Sequence, residues 1–191
     1  MRARLAVQSA GITVEQREIL LRDKPQAFLD CSPSATVPAL QLPDRVIDES
    51  LDIMLWALDI NDPQRLLDVS ADAWCLIEAC DGPFKTALDR TKYASRFPDN
   101  DPLAERARAA GFLKELDARL AGQGALCGPR HTIADVAILP FIRQFANIDR
   151  HWFNAQPWPD LAKWLEDFTQ GTAFSAIMHK YPPWKETAAQ I

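Results

Sequence analysis

No two of the four cysteines, Cys31, Cys75, Cys80 and Cys127, form a CxxC pair, and no histidine lies at metal-ligand spacing from them. His131, His151 and His179 stand alone. The usual sequence signatures of a metal site are therefore missing. The pattern predicts ordinary buried, reduced thiols in a cytoplasmic protein, with no metal. Long apolar runs are missing too. None approaches the ~20 residues of a membrane-spanning helix, so no membrane association is expected. There is no basic excess either. Twenty-one Lys and Arg face 26 Asp and Glu, for a net charge of −5, which removes the clustered positive footprint that nucleic acids require. No repeat and no low-complexity tract is present. The opening MRARLAVQSAGI has no acid. Its apolar LAV is too short for a signal peptide, whereas a transit peptide and a helix of a folded domain both fit it, and the helix is preferred.

The 191 residues, 48% hydrophobic and 25% charged, suffice for one large domain or two small ones with a sizeable core. Residues 1 to 10 have helical spacing, closed by Gly11. ITVEQREILL then alternates, with Val14, Gln16 and Glu18 on one side and Glu15, Arg17 and Ile19 on the other. That predicts a half-exposed edge strand over 13–19. Lys24-Pro25 opens a short helix, and CSPSAT is a loop. PALQL and RVI are two short strands around a Pro43-Asp44 turn. Pro38 heads the first of them, a position that a residue lacking an N–H tolerates.

Ser50 is placed as the N-cap of a helix carrying Leu51, Met54, Leu55 and Leu58 at helical spacing. Ile53, Trp56, Ala57 and Ile60 make that helix apolar nearly all round, so burial on two sides is expected. Everything after a linker at 62–70 reads as helix. Gly82-Pro83 must kink or break the segment 71–92. Residues 103 to 120 carry Ala109, Leu113, Leu116 and Leu120 on one stripe. Thr132 followed by Asp135 is a capping-box pattern ahead of VAILPFIRQFA, where Pro140 should bend the helix. LAKWLEDFTQG and FSAIMHKY close the chain as short helices. The predicted organisation is an α/β domain over 1–61, a linker over 62–70 and an all-α domain over 71–191.

Val37-Pro38 before a hairpin, Glu49-Ser50 at a helix N-terminus, and the Thr132–Asp135 box inside a helical second half occur in this order along the chain. The combination resembles a cytosolic glutathione transferase over essentially its whole length. KPQAFLDCSPSATVPAL is similar to the bacterial and omega-like, cysteine-type branch. The resemblance implies a thioredoxin-like α/β domain and an all-α helical bundle. It implies a cis bond before Pro38, with the Val37 backbone pairing the cysteinyl part of glutathione as a short added strand. Glu49 would meet the γ-glutamyl ammonium. Ser50 and free helix N–H groups would meet its carboxylate, and Lys24 the glycine carboxylate. Phe84, Lys85, Arg90 and Tyr93 would line the second-substrate pocket. Thr132 and Asp135 would serve capping and folding.

Each residue also has a plainer role: Ser50 as a cap alone, Glu49 as a solvated acid, Pro38 as a trans edge proline, Lys24 as a surface lysine. The order of the motifs carries the resemblance. Glutathione would be the co-substrate and a small electrophile or disulfide the partner, with homodimerisation as the family habit.

The family's α/β domain begins with a central strand that leads to the catalytic residue. MRARLAVQSAG resembles the helix that follows it. The first strand and the catalytic residue are therefore expected upstream of Met1. An internal methionine as recorded start, a member that binds without catalysing, and a thiol such as Cys31 taking over are the three explanations; a structural thiol is the preferred identity for Cys31. Ala35 stands where the branch usually has glycine, and the hairpin turn is one residue short. The function implied is glutathione conjugation or thiol transfer. The rivals are a non-catalytic glutathione- or partner-binding module on the same fold and a helical interaction domain.

Overall fold

The structure is a computed structural model and describes residues 1–185. It divides into two compact units. One holds Met1–Gln64 together with the chain from Thr172 onward, and the other holds Arg65–Gly171. The sequence carries no sign of that return of the C-terminal segment to the first unit.

In the first unit, α1 (Arg2–Ser9), α2 (Gln26–Cys31), β1 (Leu40–Gln41), β2 (Val46–Ile47), α3 (Ser50–Ile60) and α10 (Thr172–Ile177) surround a small core. Helices α1 and α3 pack together. Ala6, Met54 and Ala57 have no exposed surface, and two alanines in the seam let the backbones approach closely. Full burial of a Leu or Met side chain contributes about 1.5–3 kcal/mol, and Leu5, Ile53, Met54 and Leu58 are all buried in this unit. Asn61 Nδ2 donates to Ala10 O at 2.9 Å and joins the two helix ends. The hairpin lies where the sequence puts it. Leu40 pairs with Ile47 and Gln41 with Val46, antiparallel, and Leu42 N–H closes the turn on Arg45 O at 2.8 Å.

Several expectations are corrected. Among the described residues, 13–19 form no ladder, and their one pairing is a parallel bridge from Glu18 to Pro183. Alternation marks a pleat with two faces, but a strand also needs a neighbour, and none is adjacent in sequence. The stretch stays extended, with Val14 40% exposed. Glu49 is the residue flanking α3, and Ser50 is its first helical residue. Likewise Pro25 flanks α2, which runs on to include Cys31. Helix α3 is not buried all round. Ile53, Met54, Ala57 and Leu58 are buried but Ile60 is 58% exposed, because its apolar pattern outruns the small core it packs on. Of the thiols, only Cys80 is fully buried, and Cys75 is exposed on the outer side of its helix.

The second unit is helical: α4 (Ala71–Ala79), α5 (Lys85–Lys92), α6 (Pro102–Leu120), α7 (Ile133–Ala146), α8 (Arg150–Asn154) and α9 (Pro159–Gln170). Gly82-Pro83 interrupts the α-helical path, as expected, by a wide π-type turn, Cys80–Phe84, between α4 and α5. The extra residue in such a turn accommodates a proline that an α-helix interior rejects. The expected stripe on α6 is buried, and Glu105 joins it. Short α8 was not foreseen; Asp149 caps it by accepting from Trp152 N–H at 2.9 Å. Within 62–70, Leu66 is buried. Arg130 donates to Arg65 O at 2.6 Å and to Asp68 O at 3.0 Å.

Asp135 organises this unit. Its side chain has no exposed surface. It accepts from Leu126 N–H at 2.9 Å, Thr132 N–H at 2.8 Å, Thr132 hydroxyl at 3.0 Å and Trp164 Nε1–H at 3.1 Å. The Thr132 hydroxyl in turn accepts the Asp135 backbone N–H, completing the capping box. The carboxylate therefore caps α7, fixes the loop before it and holds α9. Asp135→Ala leaves several buried donors without acceptors, each costing ~1–3 kcal/mol, so a loss of roughly 3 kcal/mol or more is expected in urea unfolding, with α7 and α9 losing amide protection together. A loss below about 1 kcal/mol would remove Asp135 from this role.

Candidate functional site

Loop 32–37 is tied on two sides. Ser32 is buried, and its carbonyl accepts Ala35 N–H at 2.9 Å. Ser34 and Thr36 hydroxyls lie 2.7 Å apart, and Ser34 Oγ accepts Thr36 N–H at 3.2 Å. Lys24, from the residue pair ahead of α2, donates Nζ–H to Ala35 O at 2.9 Å. Ser34 N–H donates to Asp48 Oδ2 at 3.2 Å. Segments around 24, 34 and 48 are thus held together by side chains instead of a sheet. Asp48, one residue before Glu49, was not singled out from the sequence. An acid between a short strand and a helix start is its only signal, and many solvated acids share it.

The loop delivers Val37. Its peptide bond to Pro38 is cis, and Val37 is 46% exposed. Among the described residues its backbone makes no hydrogen bond. Glu49 is exposed, and its carbonyl accepts Ile53 N–H at 3.0 Å as the first bond of α3. Ser50 is half-buried in the first turn. The N–H groups of that turn have no intrahelical acceptors and carry the positive end of the helix dipole. The arrangement presents open backbone groups at Val37, a carboxylate at Glu49, a hydroxyl with unpaired N–H groups at Ser50, and an ammonium at Lys24. A small zwitterionic peptide offers the complementary set.

The residues expected to line a second-substrate pocket belong to the helical unit and are not alike. Phe84 is buried, its ring 5.0 Å from Phe112 and 5.7 Å from Phe145. It is core and presents no surface to a ligand. Lys85 pairs with Asp89, one turn on, and lies over Phe141. Arg90 donates to the buried Glu105 at 3.3 Å, beside Arg108 at 2.8 Å. Tyr93 is half-buried between Lys92 and Arg96, at 4.8 and 4.6 Å from its ring. A groove of about 440 Å³ in this unit is lined by Arg150, Phe153, Leu165 and Glu166 among others, none of them singled out from the sequence. No group of metal-ligating side chains was found among the described residues.

The N-terminal-domain model of the glutathione S-transferases matches residues 1–65, and the C-terminal-domain model matches 77–167. The chain belongs to the cytosolic glutathione S-transferase family. Solved glutathione transferases share its fold. A ternary complex of BphK, a bacterial member, superposes with a TM-score of 0.76 at 18% identity, covering 93% of this chain and 92% of that one. A family member from Pseudomonas fluorescens with two glutathione molecules bound gives 0.75 at 21% identity, covering 92% and 86%. Among curated proteins, elongation factor 1-gamma 3 of Oryza sativa subsp. japonica is 23% identical over an alignment of 213 residues that covers 99% of this chain. The chain spans 51% of that relative's length. No helix among the described residues is long and apolar enough to cross a membrane.

Two predictions follow from the geometry. Ala35 has φ 51°, a conformation that costs an L-residue roughly 1–2 kcal/mol and a glycine nearly nothing. Ala35→Gly should therefore stabilise the protein by about 0.5–1 kcal/mol after the glycine's extra chain entropy, read as a higher urea midpoint. A lower midpoint would mean the turn is not strained. The second concerns thiols. Burial first, and then the nearby Asp135 and Asp72, push the Cys127 thiol above its ordinary value. Less thiolate forms at a given pH, so Cys127 should be alkylated more slowly by iodoacetamide at pH 8 than exposed Cys75. Peptide mass mapping against time reads the order, and faster labelling of Cys127 would contradict it.

Proposed function

We propose that this chain binds glutathione through its first unit and acts as a glutathione transferase or thiol transferase, with a small electrophile or disulfide as second substrate. What carries the reading is that Lys24 and Asp48 tie down, from separate segments, the one loop that leads to Val37. In this reading Val37 N–H and C=O pair with the cysteinyl amides of the tripeptide. The Glu49 carboxylate meets the γ-glutamyl ammonium, and Ser50 with the first turn of α3 meets its carboxylate. Lys24 keeps two N–H donors beyond the one spent on Ala35 O, enough to reach the glycine carboxylate. Arg90 and Tyr93, in the helical unit, take part in second-substrate recognition, with Phe84 supporting them from the core. The bacterial, omega-like branch belongs to the reading on the strength of KPQAFLDCSPSATVPAL. A cysteine nucleophile gives thiol transfer through a mixed disulfide. A serine or tyrosine gives conjugation by stabilising the glutathione thiolate.

A second reading is a non-catalytic binding module. The match to elongation factor 1-gamma 3, of which this chain spans only half, favours it. Isothermal titration with glutathione, run beside thiol-transfer and conjugation assays, separates the two. Glu49→Ala and Ser50→Ala should each weaken glutathione at least about tenfold, ~1.4 kcal/mol. Unchanged affinity in either variant removes that residue from the site. Binding without turnover in both assays selects the binding module, and no binding at all selects a helical interaction domain.

A further inference from the structure

The chain beyond the helical unit returns to α1 and to the extended stretch that leads to Lys24. Helix α10 buries Phe174 and Ile177 and packs on α1. Arg4, on α1, donates through one nitrogen to Ile177 O at 3.2 Å and through the other to the Glu18 carboxylate at 2.6 Å. Past α10, Pro183 pairs in parallel with Glu18, and Trp184 N–H donates to Glu18 O at 2.7 Å. The Arg17 guanidinium lies over the Trp184 indole at 4.9 Å. Its edge is meanwhile engaged by Glu15, at 3.0 and 2.9 Å, so the face is left for stacking. Glu18 is thus held by its carbonyl and by its carboxylate, from two different segments. From there the chain enters a turn closed by Asp23 N–H on Leu20 O at 3.0 Å. The next residue is Lys24, whose ammonium holds Ala35 O at 2.9 Å.

We propose that residues 179–184 are a latch. They supply the strand partner that the stretch 15–20 lacks and, through the Leu20–Asp23 turn and Lys24, keep the loop before Val37 in its binding conformation. An extended stretch with open backbone groups is a template for an added strand, and the chain fills it with its own. Pro182 and Pro183 suit the task because proline is already extended and has little entropy to lose. The latch is also easy to open. His179, Lys180, Tyr181, Pro182 and Pro183 are all exposed, and the tie to Glu18 is one backbone hydrogen bond beside one stacked cation. Where the tripeptide binds as proposed above, latch and ligand order the same loop. Each must then strengthen the other to the same extent.

The latch itself is tested without glutathione. A chain ended after Met178 keeps α10 and loses the latch, and Trp184→Ala keeps the length while removing the stack. Amide hydrogen exchange followed by mass spectrometry should show Asp23, whose N–H closes the turn on Leu20 O, and residues 34–36 exchanging about tenfold faster in the shortened chain. Trp184→Ala should fall between the two, and α6 and α7 should be unchanged. Adding a peptide of residues 179–185 should restore protection. Unchanged exchange at Asp23 in Trp184→Ala and in the shortened chain overturns the latch. Faster exchange at Asp23 with no change over 34–36 overturns its coupling to the loop. Should the intact chain bind no glutathione by titration, the binding reading fails while the exchange data still decide the latch.

Discussion

A two-stranded ladder of two residue pairs is too small to satisfy the backbone around it, and the first unit is arranged around that shortage. An isolated hairpin is marginal in water, and unpaired polar groups cannot be buried cheaply. The unit therefore closes its seams with side chains. Lys24 holds Ala35 O, Asp48 holds Ser34 N–H, and Asn61 holds Ala10 O. Arg4 bridges Glu18 and Ile177, and Trp184 N–H completes Glu18. The same shortage leaves Val37 open, because nothing in the described chain competes for its backbone groups. Scarcity of sheet and the open backbone at Val37 have one origin.

The helical unit solves the opposite problem. Its helices satisfy their own backbones, and only their ends and the intervening loops need partners. One buried carboxylate, Asp135, serves a helix N-terminus, the preceding loop and a tryptophan of a later helix. Left unpaired, the donors would together cost several kcal/mol, and accepting all of them offsets the burial of the carboxyl group. That is why an acid sits in the middle of an apolar core. Glu105 repeats the device nearer the surface, buried and paired with Arg90 and Arg108. That pairing also sets what is left of Arg90 for a ligand: one guanidinium already partly spent on a neighbouring helix.

By itself the sequence determined the helices with long, regular stripes, the hairpin and its turn, the capping box, and the order Val-Pro, Glu-Ser, helix that identifies the family. These are local matters. A stripe, a turn or a cap is decided by residues a few positions apart, so it can be read in a window. The candidate residues Lys24, Val37, Glu49 and Ser50, and the departure at Ala35, came from the resemblance carried by that order. Tertiary structure alone decided the rest. It made 13–19 an extended stretch without a ladder, sent the chain from Thr172 back to α1, put Phe84 in the core, recruited Asp48, and turned Cys75 outward. Each of these depends on a neighbour far away in sequence, as Glu18 depends on Trp184. Alternation or polarity in one segment says nothing about whether its partner arrives.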